Sequence, residues 1–209
     1  MASGLFVTLE GGEGSGKSTL ARALDEALSA AGHSVVMTRE PGGTPGAEQI
    51  RQLLVCGDAS RWSAKTEALL FYAARTDHVE KVIRPAIEAG QIVICDRFSD
   101  STMAYQGAAG GVPLDELKQL HALVLGDFKP DLTLLIDLDP DAGLARTQER
   151  DGSEARFESK ALAFHKRLRA AYKELSASEP DRFCVLDGEL PPDELAEIAI
   201  SAIERTLAE

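Results

Sequence analysis

The sequence predicts an α/β fold in which helices cover both faces of a five-stranded parallel sheet. Two observations support this prediction. Five short apolar runs alternate with longer segments of helical periodicity, which is typical of strands joined by crossover helices. The first run is followed directly by a glycine-rich loop and an amphipathic helix. With 209 residues, 44% of them hydrophobic, the chain can bury one substantial core, so we expect a single domain spanning residues 1–209.

The strands are predicted from apolar runs that end in polar or turn-forming residues. They cover Leu5–Glu10, Ser34–Arg39, Gln91–Asp96, Leu132–Leu138 and Phe183–Leu186. In parallel sheets of this kind, ligands bind outside the carboxyl ends of the strands. Polar residues that follow a strand are therefore the first candidates for function.

The helices are predicted from apolar residues spaced three and four positions apart. The first runs from Lys17 to Ala30. The segment from about Ala47 to Ala89 is expected to hold two helices, the second from Trp62 to roughly Ile87. Further helices are expected over Leu114–Leu125, Asp141–Arg150, Glu158–Ser176 and Pro192–Leu207. Residues 107–111, Gly-Ala-Ala-Gly-Gly, form the stretch that looks most flexible.

The loop after the first strand reads Gly-Gly-Glu-Gly-Ser-Gly-Lys-Ser over residues 11–18 and fits the pattern G-x-x-x-x-G-K-[ST]. Its glycines allow backbone N–H groups to cradle phosphates, and the next helix directs its positive end at the same place. Lys17 would add a charge for the outer phosphates, and the Ser18 hydroxyl would hold Mg²⁺. The residues predicted to bind a nucleotide here are Gly11, Gly12, Glu13, Gly14, Ser15, Gly16, Lys17, Ser18 and Thr19.

The composition narrows the possible partners. A formal net charge of −12 argues against a nucleic acid, because binding to a polyanion relies on a broad basic surface. No run approaches the ~18 consecutive apolar residues of a membrane span, and the N-terminus lacks a secretory signal pattern. The three cysteines and four histidines follow neither disulfide nor zinc spacing. We therefore expect a cytoplasmic protein with small-molecule ligands, no nucleic acid and no membrane partner.

Several classes of protein contain such a phosphate-binding loop. A regulatory GTPase would normally read guanine with an Asn-Lys-x-Asp element, and this chain contains no asparagine. A motor or transport ATPase would usually be larger or repeated. A small phosphoryl-transfer kinase fits better, because Asp96 ends a strand where it can approach Mg²⁺ and Arg97 would face the transferring phosphates. A catalytically silent nucleotide-binding module is the alternative, and the presence of Lys17, Ser18, Asp96 and Arg97 together counts against it.

Four stretches carry a more specific signal: Glu10–Gly11, Thr38–Thr44, Leu70–Arg75 and Asp96–Gly107. In combination they resemble the bacterial thymidylate kinases, and the resemblance covers nearly the whole chain in the right order. It implies the P-loop nucleoside monophosphate kinase fold. Adenylate and guanylate kinases share that fold, but they lack the Arg-Glu-Pro-Gly-Gly-Thr turn and the Ala-Tyr-Gln-Gly element found here.

The resemblance implies that Phe71 stacks on a thymine ring and that Arg75 hydrogen-bonds the same base. Their spacing agrees with this role, because residues four apart lie on one face of a helix. The alternative is that Phe71 packs in the core while Arg75 pairs with a carboxylate such as Glu80.

The resemblance also implies how the rest of the acceptor would be held. Arg51 and Arg97 match positions that bind its 5′-phosphate, which suits the planar fork of a guanidinium. Glu13 matches a carboxylate that reaches the sugar 3′-hydroxyl, and Tyr105 matches a residue that crowds C2′ and disfavours ribose. Further thymidylate contacts are implied for Ser101, Thr102 and Gln106. Ser and Thr at these positions could also simply cap a helix.

The implied reaction is ATP + dTMP → ADP + dTDP, with Mg²⁺ as cofactor and an in-line transfer of the γ-phosphoryl group. A lid over about residues 146–158 would close on ATP, with Arg146 assigned to ATP. Members of the family differ in whether the catalytic arginine lies in the phosphate-binding loop or in the lid. Gly14 stands where members of the first type carry the catalytic arginine. The lid must therefore supply this arginine, and the candidates are Arg150 and Arg156. The Arg-Phe-Glu element over residues 156–158 matches the family better.

The nearest alternative is another nucleoside monophosphate kinase, preferring dUMP, UMP or dCMP. One methyl group in an apolar pocket discriminates by only about 1–3 kcal/mol, so dUMP stays open on physical grounds. The resemblance further implies a homodimer, with contacts through the helices around residues 62–89 and 113–126.

Overall fold

The computed structural model describes residues 4–58, 60–148, 157 and 160–208. Its centre is a five-stranded parallel sheet with the strand order β2-β3-β1-β4-β5. The strands are β1 Leu5–Gly11, β2 Val35–Arg39, β3 Ile92–Asp96, β4 Leu132–Asp137 and β5 Phe183–Asp187. The five predicted strands are confirmed, and each end lies within one residue of its predicted position.

Helices follow the strands in the predicted order. They are α1 Lys17–Ala30, α2 Pro45–Val55, α3 Ala64–His78, α4 Arg84–Glu88, α5 Ser99–Thr102, α6 Leu114–Leu125, α7 Pro140–Gln148, α8 Leu162–Ser178 and α9 Pro192–Leu207. The side chain of Thr44 caps α2 by accepting a hydrogen bond from the N–H of Ala47 at 3.1 Å. The predicted end of α7, Arg150, lies outside the described residues. Helix α8 begins at Leu162, four residues later than predicted.

Two π-helical turns change the helix boundaries that the sequence predicts. The turn Val79–Ile83 joins α3 to α4, so the helix predicted from Trp62 to roughly Ile87 consists of three consecutive segments. The turn Met103–Ala108 continues α5, and the sequence prediction missed this helix. Ala104, Tyr105 and Gln106 are all buried there, which shows that packing rather than local periodicity holds this part of the chain in a helix.

The alternation of side chains along β1 builds a core on each face of the sheet. Leu5, Val7 and Leu9 pack in the apolar cluster that includes leucines of α1 and residues of α9. Phe6 points the other way, into the cluster that contains Tyr72 of α3. Burial on both faces explains why β1 reads as a nearly continuous apolar run, and it confirms the expected helices on both sides of the sheet.

The order of the strands positions the functional loops. Strands β1 and β3 are direct neighbours, with Leu9 opposite Asp96. The glycine-rich loop after β1 and the Asp96-Arg97 pair after β3 therefore meet at the same edge of the sheet. Within the described part of the chain, no helix is both long enough and apolar enough to cross a membrane.

Candidate active site

The glycine-rich loop has a backbone that other residues rarely adopt. Gly14 has φ of +67°, and a Cβ atom there would collide with the carbonyl oxygen of Gly143 on α7. Gly16 has φ of +102° and is the N-cap residue of α1. Both positions favour glycine because L-residues with a side chain are strained at positive φ. Position 14 has no room for an arginine, which gives a steric reason for the residue found there.

Lys17 is the first residue of α1 and is buried inside the loop. Its Nζ donates hydrogen bonds to the carbonyl oxygens of Gly11 at 3.1 Å and Gly12 at 2.8 Å. Burial is the main cause that lowers the pKa of Lys17 to about 8, and the nearby charge of Arg97 lowers it further. The charges of Asp96, Glu13 and Glu10 oppose this shift without cancelling it, so the ammonium group is buried beside both a guanidinium and carboxylates.

Asp96 and Ser18 are the residues predicted to hold Mg²⁺. Among the described residues, Oδ1 of Asp96 is buried and has no hydrogen-bond partner, while Ser18 is exposed on the first turn of α1. Mg²⁺ is commonly bound by one or two protein oxygens together with substrate phosphates. The unpartnered carboxylate oxygen fits that role. No cluster of three or more His, Cys, Asp or Glu side chains in the described ranges could hold a metal by itself.

Arg97 has a left-handed backbone, with φ of +72°, which is uncommon for a residue with a side chain. Its N–H donates to the carbonyl oxygen of Leu9 at 2.9 Å, which fixes this conformation against β1. Its Nη1 donates to Gly11 O at 3.1 Å and to Ser101 Oγ at 3.2 Å. The guanidinium is thus held at the mouth of the glycine-rich loop, above the ring of Tyr105 at 4.9 Å.

Glu13 is the carboxylate of the loop. Its Oε1 accepts a hydrogen bond from Tyr105 Oη at 2.7 Å, and its Oε2 lies 3.4 Å from Nδ1 of His165 on α8. Burial alone would raise the pKa of the Glu13 carboxyl. The His165 imidazole and the charge of Arg97 outweigh burial and lower that pKa to about 2, so the group is a carboxylate at neutral pH.

Arg75 lies on α3 and is almost completely buried. Its Nε donates to Glu40 Oε2 at 2.6 Å, and its Nη2 donates to Phe98 O at 3.0 Å and to Thr102 Oγ1 at 3.2 Å. Its Nη1 has no hydrogen-bond partner within the described ranges. The carboxylate beside Arg75 is thus Glu40, after β2, rather than Glu80. The unpartnered Nη1 leaves one donor available to a ligand.

Phe71 and Gln106 lie near Arg75. Phe71 is half-buried, one helical turn before Arg75, and its ring centroid lies 6.3 Å from that of Phe157. It is not a member of the apolar core clusters of the described residues, which argues against core packing. Gln106, in the second π-helical turn, is buried, and its Nε2 donates to Glu67 Oε2 at 2.9 Å.

One cavity of about 270 Å³ connects these groups, and we refer to it as the acceptor cavity. The predicted site residues that line it are Glu13, Gly14, Lys17, Ser18, Arg51, Phe71, Arg75, Asp96, Arg97, Ser101, Thr102, Tyr105 and Gln106. Arg51 is turned towards it from α2, with Nη1 donating to Pro41 O at 2.8 Å. The glycine-rich loop and the ring of Phe71 thus border the same cavity, and we call the part lined by Phe71, Arg75 and Gln106 the base end.

Some predicted site residues lie elsewhere. Arg146 is exposed on α7, with Nη1 3.5 Å from the carbonyl oxygen of Gly188 after β5, and it does not line the acceptor cavity. Thr19 is half-buried in α1 and also lies outside this lining. The two candidate lid arginines, Arg150 and Arg156, lie outside the described residues.

Sequence reasoning missed several side chains that support the site. Glu10 accepts hydrogen bonds from the N–H groups of Phe98 at 2.8 Å and Ser101 at 3.3 Å, so it ties the segment after β3 to β1. Burial, followed by the charge of Asp100, raises the pKa of Glu10 to about 7. The sequence offered a signal for a special role of Glu10, because an acidic residue stands at the end of an otherwise apolar strand. The partners Glu40 and His165 gave none, because their contacts join distant parts of the chain.

Comparison with known proteins agrees with this geometry. The family model described as "Thymidylate kinase" matches residues 9–198. A thymidylate kinase of Caulobacter vibrioides is 56% identical over 193 residues and covers 92% of both chains. One of Ruegeria pomeroyi is 53% identical over 208 residues and covers 98% of both. The crystal structure of thymidylate kinase from Ehrlichia chaffeensis has a TM-score of 0.77 and 33% sequence identity, covering 96% of this chain and 99% of that one. This chain belongs to the thymidylate kinase family.

Proposed function

We infer that this chain is a kinase that phosphorylates dTMP to dTDP, with ATP as the donor and Mg²⁺ as the cofactor. The observation that carries the inference is that one cavity of about 270 Å³ is lined by Lys17 and Ser18 of the phosphate-binding loop and by Phe71 and Arg75 of α3. A kinase that joins two nucleotides needs a phosphate grip and a base pocket within reach of each other.

The base end suits a pyrimidine. Phe71 offers an aromatic face for stacking, and Arg75 offers Nη1 as a donor to a ring carbonyl. Ser101, Thr102 and Gln106 supply further polar contacts around the acceptor. A flat aromatic wall beside a fixed donor selects for a planar ring with a carbonyl at its edge, as thymine has.

The sugar and phosphate of the acceptor would lie between the base end and the glycine-rich loop. Arg51 and Arg97 hold the 5′-phosphate, because two guanidinium groups neutralise a dianion and can donate several hydrogen bonds to its oxygens. Glu13 accepts a hydrogen bond from the 3′-hydroxyl. The Tyr105 ring occupies the space beside C2′, where a ribose hydroxyl would collide with it.

The transfer needs positioning and charge neutralisation more than proton transfer. The second pKa of a phosphate monoester is about 6, so the attacking oxygen is already anionic near neutral pH and no general base is required. Lys17 faces the outer phosphates of ATP, and Arg97 lies where charge develops between donor and acceptor. Gly11, Gly12, Ser15, Gly16 and Thr19 contribute the surrounding loop contacts.

Asp96 and Ser18 are the residues that would hold Mg²⁺, and the buried, unpartnered Oδ1 of Asp96 supports this assignment. The bound ion supplies charge neutralisation across the donor phosphates. Arg146 contacts ATP, and the catalytic arginine comes from the lid, as Arg156 or Arg150. The steric exclusion of a side chain at Gly14 supports a lid-supplied arginine.

The product identifies the reaction. The chain is incubated with Mg²⁺ and ATP labelled at the γ-phosphate, together with dTMP, and the labelled nucleotide is separated. Labelled dTDP is expected, and the Lys17→Ala variant is expected to form it far more slowly. Label released only as inorganic phosphate would contradict the proposed transfer.

We expect the enzyme to act in the cytoplasm as a homodimer. Leu69 on α3 is 53% exposed and Leu123 on α6 is 84% exposed, which supports an interface through these two helices. Light scattering of the purified chain tests this, and a monomeric mass over the working concentration range would contradict it.

A further inference from the structure

A buried hydrogen bond lies beneath the base end of the acceptor cavity. Nε2 of Gln106 donates to Oε2 of Glu67 at 2.9 Å, and the two residues are only 1% and 5% exposed. Gln106 lines the cavity, whereas Glu67 is absent from the described residues that line it. Glu67 lies one turn before Phe71 on α3. Its carboxylate therefore approaches Gln106 from the protein side.

This contact fixes the direction of the Gln106 amide. The NH₂ group of Gln106, and not its carbonyl oxygen, faces Glu67, because Nε2 is the atom that donates to Oε2. The amide carbonyl oxygen is then directed away from Glu67. Arg75 lines the same cavity, and its Nη1 is a buried donor without a partner among the described residues. The base end thus offers one acceptor and one donor whose identities do not interchange.

Pyrimidines differ in the pattern that this pair would meet. Thymine and uracil present an N3–H donor beside the O4 acceptor. Cytosine presents the opposite pattern, an N4–H₂ donor beside an unprotonated N3 acceptor. A fixed acceptor on Gln106 and a fixed donor on Arg75 complement the first pattern and oppose the second.

We propose that Glu67 is a positioning residue that holds the Gln106 carbonyl oxygen towards the pyrimidine and thereby selects thymine or uracil over cytosine. The proposal rests on the proposed function, since it takes the acceptor base to lie against Phe71 and Gln106. Glu67 acts through Gln106 and not by touching the substrate. Its effect is therefore on the choice between bases, whereas a merely structural glutamate would affect all acceptors alike.

The test compares kcat/KM for dTMP and dCMP in the wild type and in variants. In Glu67→Gln the amide at position 67 can both donate and accept, so Gln106 is free to turn over. The ratio of kcat/KM for dTMP to that for dCMP is expected to fall by about fivefold or more, the factor that corresponds to one net hydrogen bond of about 1 kcal/mol. Glu80→Gln, on the exposed surface of the first π-helical turn, is the matched control and should leave the ratio unchanged.

The double variant Glu67→Gln/Gln106→Glu reverses the polarity of the pair. The amide introduced at position 67 donates to the carboxylate introduced at position 106, which still presents an acceptor to the base. This variant keeps the buried hydrogen bond, and its ratio is expected to return towards the wild-type value. Thermal unfolding of each variant checks that the compared proteins are folded.

Two results would overturn the proposal. In the first, Glu67→Gln weakens the use of dTMP and dCMP equally, so that the ratio is unchanged. In the second, the double variant fails to recover the ratio although it is folded. A wild-type chain that phosphorylates no pyrimidine nucleotide would instead overturn the proposed function, and that result appears before any variant is compared.

Discussion

Tyr105 and Glu13 are 92 positions apart in the chain and share a hydrogen bond of 2.7 Å from the tyrosine hydroxyl to Oε1 of the carboxylate. The bond joins the glycine-rich loop to the π-helical turn after α5. The Tyr105 ring also lies 4.9 Å from the guanidinium carbon of Arg97. Arg97 Nη2 also lies 3.5 Å from Oε1 of Glu13, so the tyrosine, the carboxylate assigned to the sugar and the arginine assigned to the acceptor phosphate form one cluster.

Two substitutions of Tyr105 separate its ring from its hydroxyl. Tyr105→Ala removes the group that crowds C2′, so the ratio of kcat/KM for UMP to that for dTMP should rise by about tenfold or more, corresponding to about 1.4 kcal/mol. Tyr105→Phe keeps the ring and removes only the bond to Glu13, so discrimination should persist while KM for dTMP increases. Steady-state kinetics with both acceptors measure this. Equal relaxation in the two variants would argue against a steric role for the ring.

Phe71→Ala tests stacking on the base. Because Phe71 lines the acceptor cavity and lies outside the core clusters, its loss should affect binding more than folding. Removal of an aromatic ring that stacks on a base costs about 1–3 kcal/mol, so KM for dTMP should increase from about fivefold to more than a hundredfold. The melting temperature should change by only a few degrees. A large loss of stability with unchanged dTMP affinity would make Phe71 a packing residue.

Arg75 pairs with Glu40 in the fold and is proposed to bind the base, and a double variant separates these two roles. Arg75→Gln removes the guanidinium from the buried Glu40 carboxylate and leaves His78, 3.1 Å from Oε1, as its side-chain partner among the described residues, which should destabilise the fold by about 3 kcal/mol. Adding Glu40→Gln removes the buried charge, so much of the stability should return while dTMP binding stays weak. Urea unfolding and dTMP titration give the two quantities. Recovery of both properties together would show that Arg75 is not needed for the base.

The raised pKa of Glu10 predicts that the free energy of unfolding depends on pH. Burial raises its pKa from 4.5 to about 7, so the folded state holds this proton more tightly than the unfolded chain does. The stabilisation that comes from this tighter proton binding is complete below about pH 4.5 and is lost as the pH rises through 7. Between pH 5 and pH 8, the wild type should therefore lose on the order of 2 kcal/mol relative to Glu10→Gln. Unfolding in urea at the two pH values tests this, and parallel changes in both proteins would contradict it.

Substitution of the catalytic lid arginine is expected to slow the chemical step and to leave substrate binding unchanged. Arg156→Ala should lower kcat by about 10³-fold, because an arginine that stabilises the transferring phosphoryl group is worth about 10³–10⁵ in rate. KM for dTMP should change little. Arg150→Ala serves as the matched comparison and should have the smaller effect. An unchanged kcat in Arg156→Ala would move the catalytic role to another residue.

Local patterns were sufficient for the sheet and for the phosphate-binding loop. The apolar run of β1 and the glycine spacing after it depend only on neighbouring residues, and both agree with the structure. The helix from Ser99 to Ala108 was not predictable in this way, because its Ser, Gly and Ala residues carry no amphipathic period. Its buried face is determined by contacts with other elements.

The supporting residues of the site were harder still to predict. Glu40 pairs with Arg75 across 35 positions and Gln106 with Glu67 across 39, and no short motif encodes either contact. The family resemblance implied which side chains would face the acceptor. It did not indicate which buried partners hold them, because those partners become evident only when β2, α3 and the segment after β3 are brought together.

The central claim is that the acceptor is dTMP, and initial rates with Mg²⁺-ATP across dTMP, dUMP, UMP, dCMP, AMP and GMP test it most directly. ADP release should be fastest at low acceptor concentration with dTMP, weaker with dUMP because of the missing methyl group, and much slower with UMP and dCMP. A higher kcat/KM for any other nucleotide would contradict the assignment of the base end to thymine, and activity with none of the six would contradict the kinase itself.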